Sequence, residues 1–161
     1  MFFHVVRKKA VLLDRYLRVY IDDGRLYFVQ VGGDFYNQKA FEAATGDTIV
    51  GRLLFYFPYR LAQKMQEKRC QQCDELVAKK AFMTLLQKSA NFKIEFKEVT
   101  KLEFRSKGSW NRFWSNHGEI VRIHTLNGKI YRFEVPFGES VENIISNLEK
   151  THLKIENKIA R

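Results

Sequence analysis

The sequence predicts an α+β fold in which a bent antiparallel β-barrel or sandwich carries a C-terminal capping helix and a helical insertion. Three observations predict it. Short runs of alternating apolar and polar residues lie near both ends of the chain, Asn127-Gly128 separates two of these runs, and a helical periodicity begins near Ser140. Alternation with a period of two is typical of strands with one buried face, since successive side chains point to opposite sides.

Length and composition favour one domain spanning residues 1–161. A chain of 161 residues with 45% hydrophobic and 14% aromatic side chains can bury one core and is too short to be expected to form two. Two cysteines do not make a disulfide framework. We therefore expect a reduced, cytoplasmic protein without cofactors.

The first elements, within residues 3–31, are predicted to be strands. Leu17 to Ile21 alternates, Asp22-Asp23-Gly24 has the composition of a tight turn, and Leu26 to Val31 is rich in β-forming residues. An Asp-Gly pair between such runs indicates a hairpin with a type I′ turn, because its central residues tolerate positive φ. The sequence Gly32-Gly33-Asp34 is expected to end this part of the sheet.

Residues 34–90, by contrast, are predicted to form a helical insertion. A first helix would start after Asp47 or Thr48 and end or kink near Phe57, because Pro58 lacks a backbone donor. Its apolar residues recur at the spacing of one helix face: Ile49, Val50, Leu53, Leu54, Phe57 and Leu61. A second helix is expected over 74–88, with buried positions at Leu76, Val77, Met83, Leu85 and Leu86.

The remaining elements are four strand-like runs and a closing helix. The runs cover 92–96, 102–104, 121–123 and 131–135, and neighbouring strands are expected to be antiparallel. Val141, Ile144, Ile145 and Leu148 form an apolar stripe at helical spacing, so this helix is predicted to lie on the sheet.

The order of these elements resembles the pleckstrin-homology-like superfamily, in particular its bacterial PH and GRAM-type domains. The resemblance lies in the hairpin from Arg18 to Val29, the segment Phe92 to Phe104, and the two strands around Asn127-Gly128 that lead into the last helix. The long insertion departs from the family pattern. The resemblance implies a small barrel-like pair of bent sheets plugged by the last helix. It also implies a non-catalytic adaptor that binds lipid headgroups, peptides or partner domains.

Charge narrows the range of partners without selecting one. The net charge is +10, and residues 49–138 carry 17 Lys and Arg against eight Asp and Glu. Such a surface attracts nucleic acid, anionic lipid or an acidic protein. The longest apolar run, Leu53 to Phe57, is far shorter than a membrane-spanning segment, and the first residues do not resemble a secretory signal.

The first candidate site is a loop between two strands that combines cations, large aromatic residues and glycines. Its proposed ligand- or partner-binding residues are Arg105, Lys107, Trp110, Arg112, Phe113 and Trp114. This mixture suits a membrane interface, a protein hot spot or base stacking. The alternative is structural, with Phe113 and Trp114 folded back as a plug.

The second candidate surface is Ile49 to Tyr59 together with the nearby cations Arg52, Arg60, Lys64, Lys68 and Arg69. It is expected either to bind a partner or a second copy of the chain, or to lie on a membrane as an amphipathic helix.

Cys70 and Cys73 have the spacing of half a zinc site, but no second half follows, so we interpret them as incidental thiols without a metal.

No catalytic motif is found. The sequence therefore predicts a cytoplasmic, non-catalytic binding module for a protein partner or an anionic membrane surface. The alternatives are a nucleic-acid-binding protein and an enzyme of unknown type.

Overall fold

The computed structural model describes residues 1–8, 14–33, 36–45, 49–106 and 119–159. The strands in this part of the chain are β1 (Phe2–Arg7), β2 (Arg15–Asp22), β3 (Arg25–Gly32), β4 (Phe92–Glu95), β5 (Val99–Arg105), β6 (Ile120–Thr125), β7 (Ile130–Glu134) and β8 (Ile155–Lys158). The helices are α1 (Gln38–Thr45), α2 (Ile49–Ala78), α3 (Phe82–Leu86) and α4 (Val141–Glu149), with a 3₁₀ turn at Phe96–Glu98. The α+β class is therefore confirmed.

The described strands form one eight-stranded open sheet in the order β4-β3-β2-β1-β7-β6-β5-β8. Pairing is antiparallel from β4 through to β5, as predicted, whereas β8 runs parallel to β5. The expectation of a purely antiparallel sheet was therefore wrong at this edge. A parallel partner needs a crossover connection, and α4 provides it between β7 and β8.

Both predicted tight turns are present. Asp23 and Gly24 have φ of 44° and 69°, the two positive values that a type I′ hairpin requires between β2 and β3. In the second turn Gly128 has φ of 77°, and the Asn127 side-chain oxygen accepts a hydrogen bond from the backbone N–H of Lys129 at 3.1 Å. These turns set the registers of the two hairpins.

The sheet curls strongly around its inner face. Phe92 on β4 and Tyr131 on β7 have ring centroids 5.6 Å apart, although three strands separate β4 from β7 in the sheet order. In a flat sheet four strand spacings would place them about 19 Å apart. Phe28 and Phe133 are similarly stacked at 5.0 Å. The two halves of the sheet therefore face each other across one core.

Helix α4 packs into that core. Val141, Ile144 and Leu148 are 6%, 0% and 1% exposed, which confirms the predicted apolar stripe. They join a cluster that includes buried residues from β1 through β7. Ser140 caps the helix, since its hydroxyl oxygen accepts a hydrogen bond from the backbone N–H of Asn143 at 3.2 Å.

Replacing Ser140 by alanine is expected to lower the free energy of unfolding by about 1 kcal/mol, because the backbone N–H of Asn143 loses its acceptor. Urea unfolding measures the change. Ser146 lies on the exposed side of the same helix, and Ser146→Ala is the matched control. A loss in Ser146→Ala as large as in Ser140→Ala would contradict the capping role.

A second apolar layer covers the outer face of β1, β2 and β3. The second half of α2 and helix α3 contribute Cys73, Phe82 and Leu85, which pack with Tyr27 and Val29 of the sheet. Phe82 stacks on Tyr27 with ring centroids 4.3 Å apart. Strands β2 and β3 are thus buried on both faces, and the insertion forms a helical layer on the outside of the sheet.

The ends of the inserted helices differ from the prediction in two respects. Pro58 lies inside α2, which continues to Ala78. The carbonyl of Leu54 loses its helical donor there, but this part of the helix is exposed, so water can hydrate it.

The predicted second helix is interrupted at Lys80, which has φ of 54°. The backbone N–H groups of Lys80 and Ala81 bond to the carbonyls of Val77 and Leu76, the pattern of a Schellman motif. Met83, expected to be buried, is 76% exposed.

Candidate functional site

The predicted loop site lies mostly outside the described residues. Lys107, Trp110, Arg112, Phe113 and Trp114 all belong to 107–118, which lie outside the described residues. The role assigned to them remains a prediction.

Arg105, the remaining member of that set, is the last residue of β5, and its Nε lies 2.7 Å from Oε1 of Glu103. Glu103 is only 3% exposed and also faces Lys158 Nζ at 3.1 Å and Arg122 at 3.6 Å. Burial by itself raises the pKa of Glu103, but the hydrogen bond from Lys158 and the nearby cations outweigh it and lower the pKa. Arg105 therefore belongs to an ion cluster that holds β5, β6 and β8 together.

The second predicted surface is exposed along its outer side. Leu53, Leu54, Phe57, Leu61 and Met65, called here the outer stripe of α2, are 70%, 68%, 79%, 60% and 48% exposed. At 3.6 residues per turn these five side chains fall within about one third of the helix circumference. They form a continuous apolar strip rather than scattered residues, and exposed apolar patches in proteins often mark interaction surfaces.

Much of the opposite side of α2 is already occupied, although Phe55 on that side is 46% exposed. Cys70, Cys73 and Val77 face the sheet, and Tyr59 stacks on Phe41 of α1 with ring centroids 4.5 Å apart. In the part of the chain that the structure describes, nothing covers the outer stripe. Helix α2 therefore has two apolar sides, one that packs against the rest of the protein and one that is exposed.

Cations border the outer stripe. By helical position Arg60 and Lys64 lie along one edge, Arg69 lies along the other, and Lys68 continues the line of the stripe; all four residues are exposed. From residue 49 to residue 69 the only acidic residue is Glu67. Apolar side chains bordered by cations suit a surface that is apolar within and negatively charged at its boundary.

A partly buried ion pair fixes α2 on the sheet. Both carboxylate oxygens of Asp74 accept hydrogen bonds from Nη1 of Arg18, at 3.1 and 2.9 Å, and one of them also accepts a bond from the Tyr20 hydroxyl at 2.7 Å. Arg18 is 8% exposed, and its guanidinium lies 3.6 Å from the centroid of the Phe2 ring. Burial, followed by the hydrogen bond to Asp74, raises the pKa of Tyr20. These contacts anchor the second half of α2, while the outer stripe begins in its first half.

The two cysteines face the sheet. Cys70 is half-buried and Cys73 is buried, and burial raises the pKa of both thiols. Among the described residues no group of three or more His, Cys, Asp and Glu side chains is placed to hold a metal ion. This geometry supports a packing role for both cysteines. The thiolate is the reactive form of cysteine, and a raised pKa leaves less of it, so neither thiol is suited to act as a nucleophile.

Both thiols are expected to react more slowly with iodoacetamide in the folded protein than in urea at the same pH, and Cys73 more slowly than Cys70. The raised pKa and the packing against the sheet both lower the reaction rate. Mass spectrometry of the alkylated peptides gives the two rates. Folded-state labelling of Cys73 at the unfolded rate would show that α2 does not rest on the sheet.

Comparison with known proteins gives no family: no family model matches the chain, and no curated protein matches it. Among the described residues, no helix combines the length and apolar character needed to cross a bilayer.

Proposed function

We propose that this protein is a non-catalytic binding module that lies peripherally on an anionic membrane surface, on the cytoplasmic side, through the outer stripe of α2. One observation carries the proposal: five large apolar side chains, four of them at least 60% exposed, form a single strip on a helix segment that has five cations and one acid. The predicted binding-module function is thereby given a surface and an occupant.

The apolar strip supplies the energy for insertion. Full burial of a Leu, Phe or Met side chain contributes about 1.5–3 kcal/mol, so the five exposed side chains of the strip can together contribute several kcal/mol when they leave water. Each Lys or Arg near an anionic lipid surface adds about 1 kcal/mol. Arg60, Lys64, Lys68 and Arg69 are exposed beside the strip and can add this contribution together.

Charge also distinguishes the membrane from a second copy of the chain. A symmetric dimer through the outer stripe would bring two cationic segments together, and the one acid in the segment, Glu67, cannot balance them. A lipid surface with anionic headgroups presents the opposite charge on all sides of the helix. The protein-partner interpretation would require an apolar groove with an acidic rim.

The fold is consistent with the pleckstrin-homology-like resemblance, which we retain as part of the proposal. The strand order, the curled sheet and α4 support it. The outer helical layer and the parallel strand β8 are additions to that pattern. In this interpretation the insertion, and not the sheet, makes first contact with the membrane.

Cosedimentation of the full chain with vesicles tests the proposal. Binding is expected to phosphatidylcholine vesicles that contain phosphatidylserine, and to weaken with added salt because the headgroup attraction is screened. Equal binding to neutral vesicles would contradict the electrostatic part, and absence of binding to either would contradict the function.

A further inference from the structure

A cleft with a mixed polar and apolar lining lies beside the outer stripe, between α2 and the ends of two strands. It has a volume of about 440 Å³, within the range of about 300–1,000 Å³ typical of small-molecule sites. It is lined by Asp14 and Arg15 at the point where β2 begins, by residues 30–33 at the point where β3 ends, and by Ala62, Met65, Gln66 and Arg69 of α2. Met65 belongs to both the cleft and the outer stripe.

Glycine sets the width of this cleft. A Cβ atom on Gly32 would lie 2.3 Å from Oε1 of Gln66, so a larger residue would push this side chain away from β3. Gln66 is held in place because its Nε2 donates a hydrogen bond to the carbonyl of Tyr36 at 3.1 Å. The close approach of helix and strand is therefore built into the sequence.

The described residues that line the cleft carry an excess of positive charge. Arg15 and Arg69 both line it, and neither is ion-paired with a carboxylate among the residues that the structure describes. Asp14, the one carboxylate among the described residues that line it, lies 2.7 Å from Nζ of Lys8, so that negative charge is balanced. Two arginines that line one cleft suit a dianionic oxyanion, because a guanidinium group can bind such an anion through two parallel hydrogen bonds.

The rest of the lining indicates a small carbon skeleton attached to the anion. Val31, Ala62 and Met65 provide apolar wall. The side-chain amide of Gln30 donates a hydrogen bond from Nε2 to the carbonyl of Gly32 at 3.3 Å. The oxygen of the same side-chain amide can accept a hydrogen bond from a hydroxyl group. The cleft is thus larger and more apolar than an inorganic anion requires.

We infer that this cleft binds a phosphate monoester on a glycerol-like skeleton, with Arg15 and Arg69 contacting the phosphate oxygens. The monoester has two sources, a lipid headgroup such as that of phosphatidic acid or a free molecule such as glycerol 3-phosphate. The lipid source rests on the proposed function, since Met65 places the cleft next to the surface that would enter the membrane.

Titration calorimetry of the full chain with glycerol 3-phosphate tests the site without a membrane. Binding is expected for the wild type, and Arg69→Gln and Arg15→Gln should each weaken it about tenfold, the effect of losing one charge-assisted contact. Arg132→Gln is the matched control, because Arg132 is an exposed arginine on β7 outside the cleft. The affinity of this variant for glycerol 3-phosphate should equal that of the wild type.

Vesicles test the lipid source. If the headgroup enters the cleft, the wild type binds phosphatidic acid vesicles more tightly than phosphatidylserine vesicles of equal surface charge, and Arg69→Gln removes most of this preference. Binding of glycerol 3-phosphate without a lipid preference would support the free source.

The inference is overturned if the wild type neither binds glycerol 3-phosphate nor prefers phosphatidic acid, or if Arg15→Gln and Arg69→Gln change neither. Vesicle binding that persists in that case would leave the proposed function intact. Glycerol 3-phosphate binding without any vesicle binding would contradict the proposed function and support the cleft.

Discussion

The double substitution Phe57→Gln and Leu61→Gln is expected to weaken binding to phosphatidylserine-containing vesicles by about 100-fold or more. Each exposed apolar side chain in the outer stripe contributes about 1.5–3 kcal/mol on insertion, so losing two costs about 3–6 kcal/mol. Both side chains are largely exposed, at 79% and 60%, and glutamine is a good helix former, so folding is expected to be unaffected. Vesicle cosedimentation at fixed salt measures the change.

The matched control is Leu126→Gln. Leu126 is 73% exposed, in the turn between β6 and β7, and lies outside the outer stripe. Its substitution removes a similar apolar area without touching α2, and binding should remain within about twofold of wild type. Equal binding by the double variant and the wild type would show that the outer stripe does not contact lipid. A wild-type dimer that the double variant abolishes, without vesicle binding, would favour self-association.

The substitution Asp74→Ala is expected to lower the free energy of unfolding by about 2 kcal/mol. Removing one partner of a buried ion pair costs about 3–5 kcal/mol because the other charge stays buried without a partner. The Asp74 side chain is 46% exposed, so the loss is smaller than for a fully buried pair, but the Arg18 side chain is only 10% exposed and the Tyr20 hydroxyl also loses its acceptor. Urea unfolding at neutral pH measures the loss.

Glu75→Ala is the control for that experiment. Glu75 is the next residue of α2 and is exposed, and its substitution should change stability by no more than about 0.5 kcal/mol. Equal effects of the two substitutions would show that the Arg18–Asp74 pair does not fasten the helix. The pair Arg18→Met with Asp74→Leu should restore much of the stability, because it removes both charges from the interface.

Local signals predicted the hairpins and the closing helix because each depends on residues close together in sequence. Gly24 and Gly128 specify turns through positive φ, and the Val141–Leu148 stripe has one possible partner, the inner face of the sheet. Strand β8 has no such signal. Ile155 and Asn157 of this strand each pair with a residue of β5, and only Ile155 is apolar. The position of β8 in the sheet therefore depends on tertiary contacts.

The ends of α2 could not be predicted from propensity alone. Pro58 was expected to end or kink the helix, but its lost hydrogen bond falls in an exposed region where water can replace it. The outer core was also missed. Tyr16, Arg18 and Tyr20 alternate with the inner residues of β2, and this second set of large side chains is the signal that the outer face is covered too.

The sequence predicted two candidate surfaces, the aromatic loop and the start of α2, and did not indicate which of them binds. Residues 49–59 were predicted to bind a partner or lipid, and the exposure of Leu53, Leu54 and Phe57 is consistent with an interaction surface in that segment. The cleft was not foreseen, because Arg15, Gly32 and Arg69 are distant in sequence and meet only through the packing of α2 on the sheet.

Fluorescence of a tryptophan placed at position 57 is the most direct measurement of membrane contact. Phe57→Trp and Leu126→Trp carry the same native tryptophans, Trp110 and Trp114, so the difference between them reports the new residue. With phosphatidylserine vesicles, Phe57→Trp is expected to shift to shorter emission wavelength and to be quenched by brominated acyl chains, while Leu126→Trp is not. Binding to the vesicles with equal quenching of both variants would contradict insertion through the outer stripe of α2.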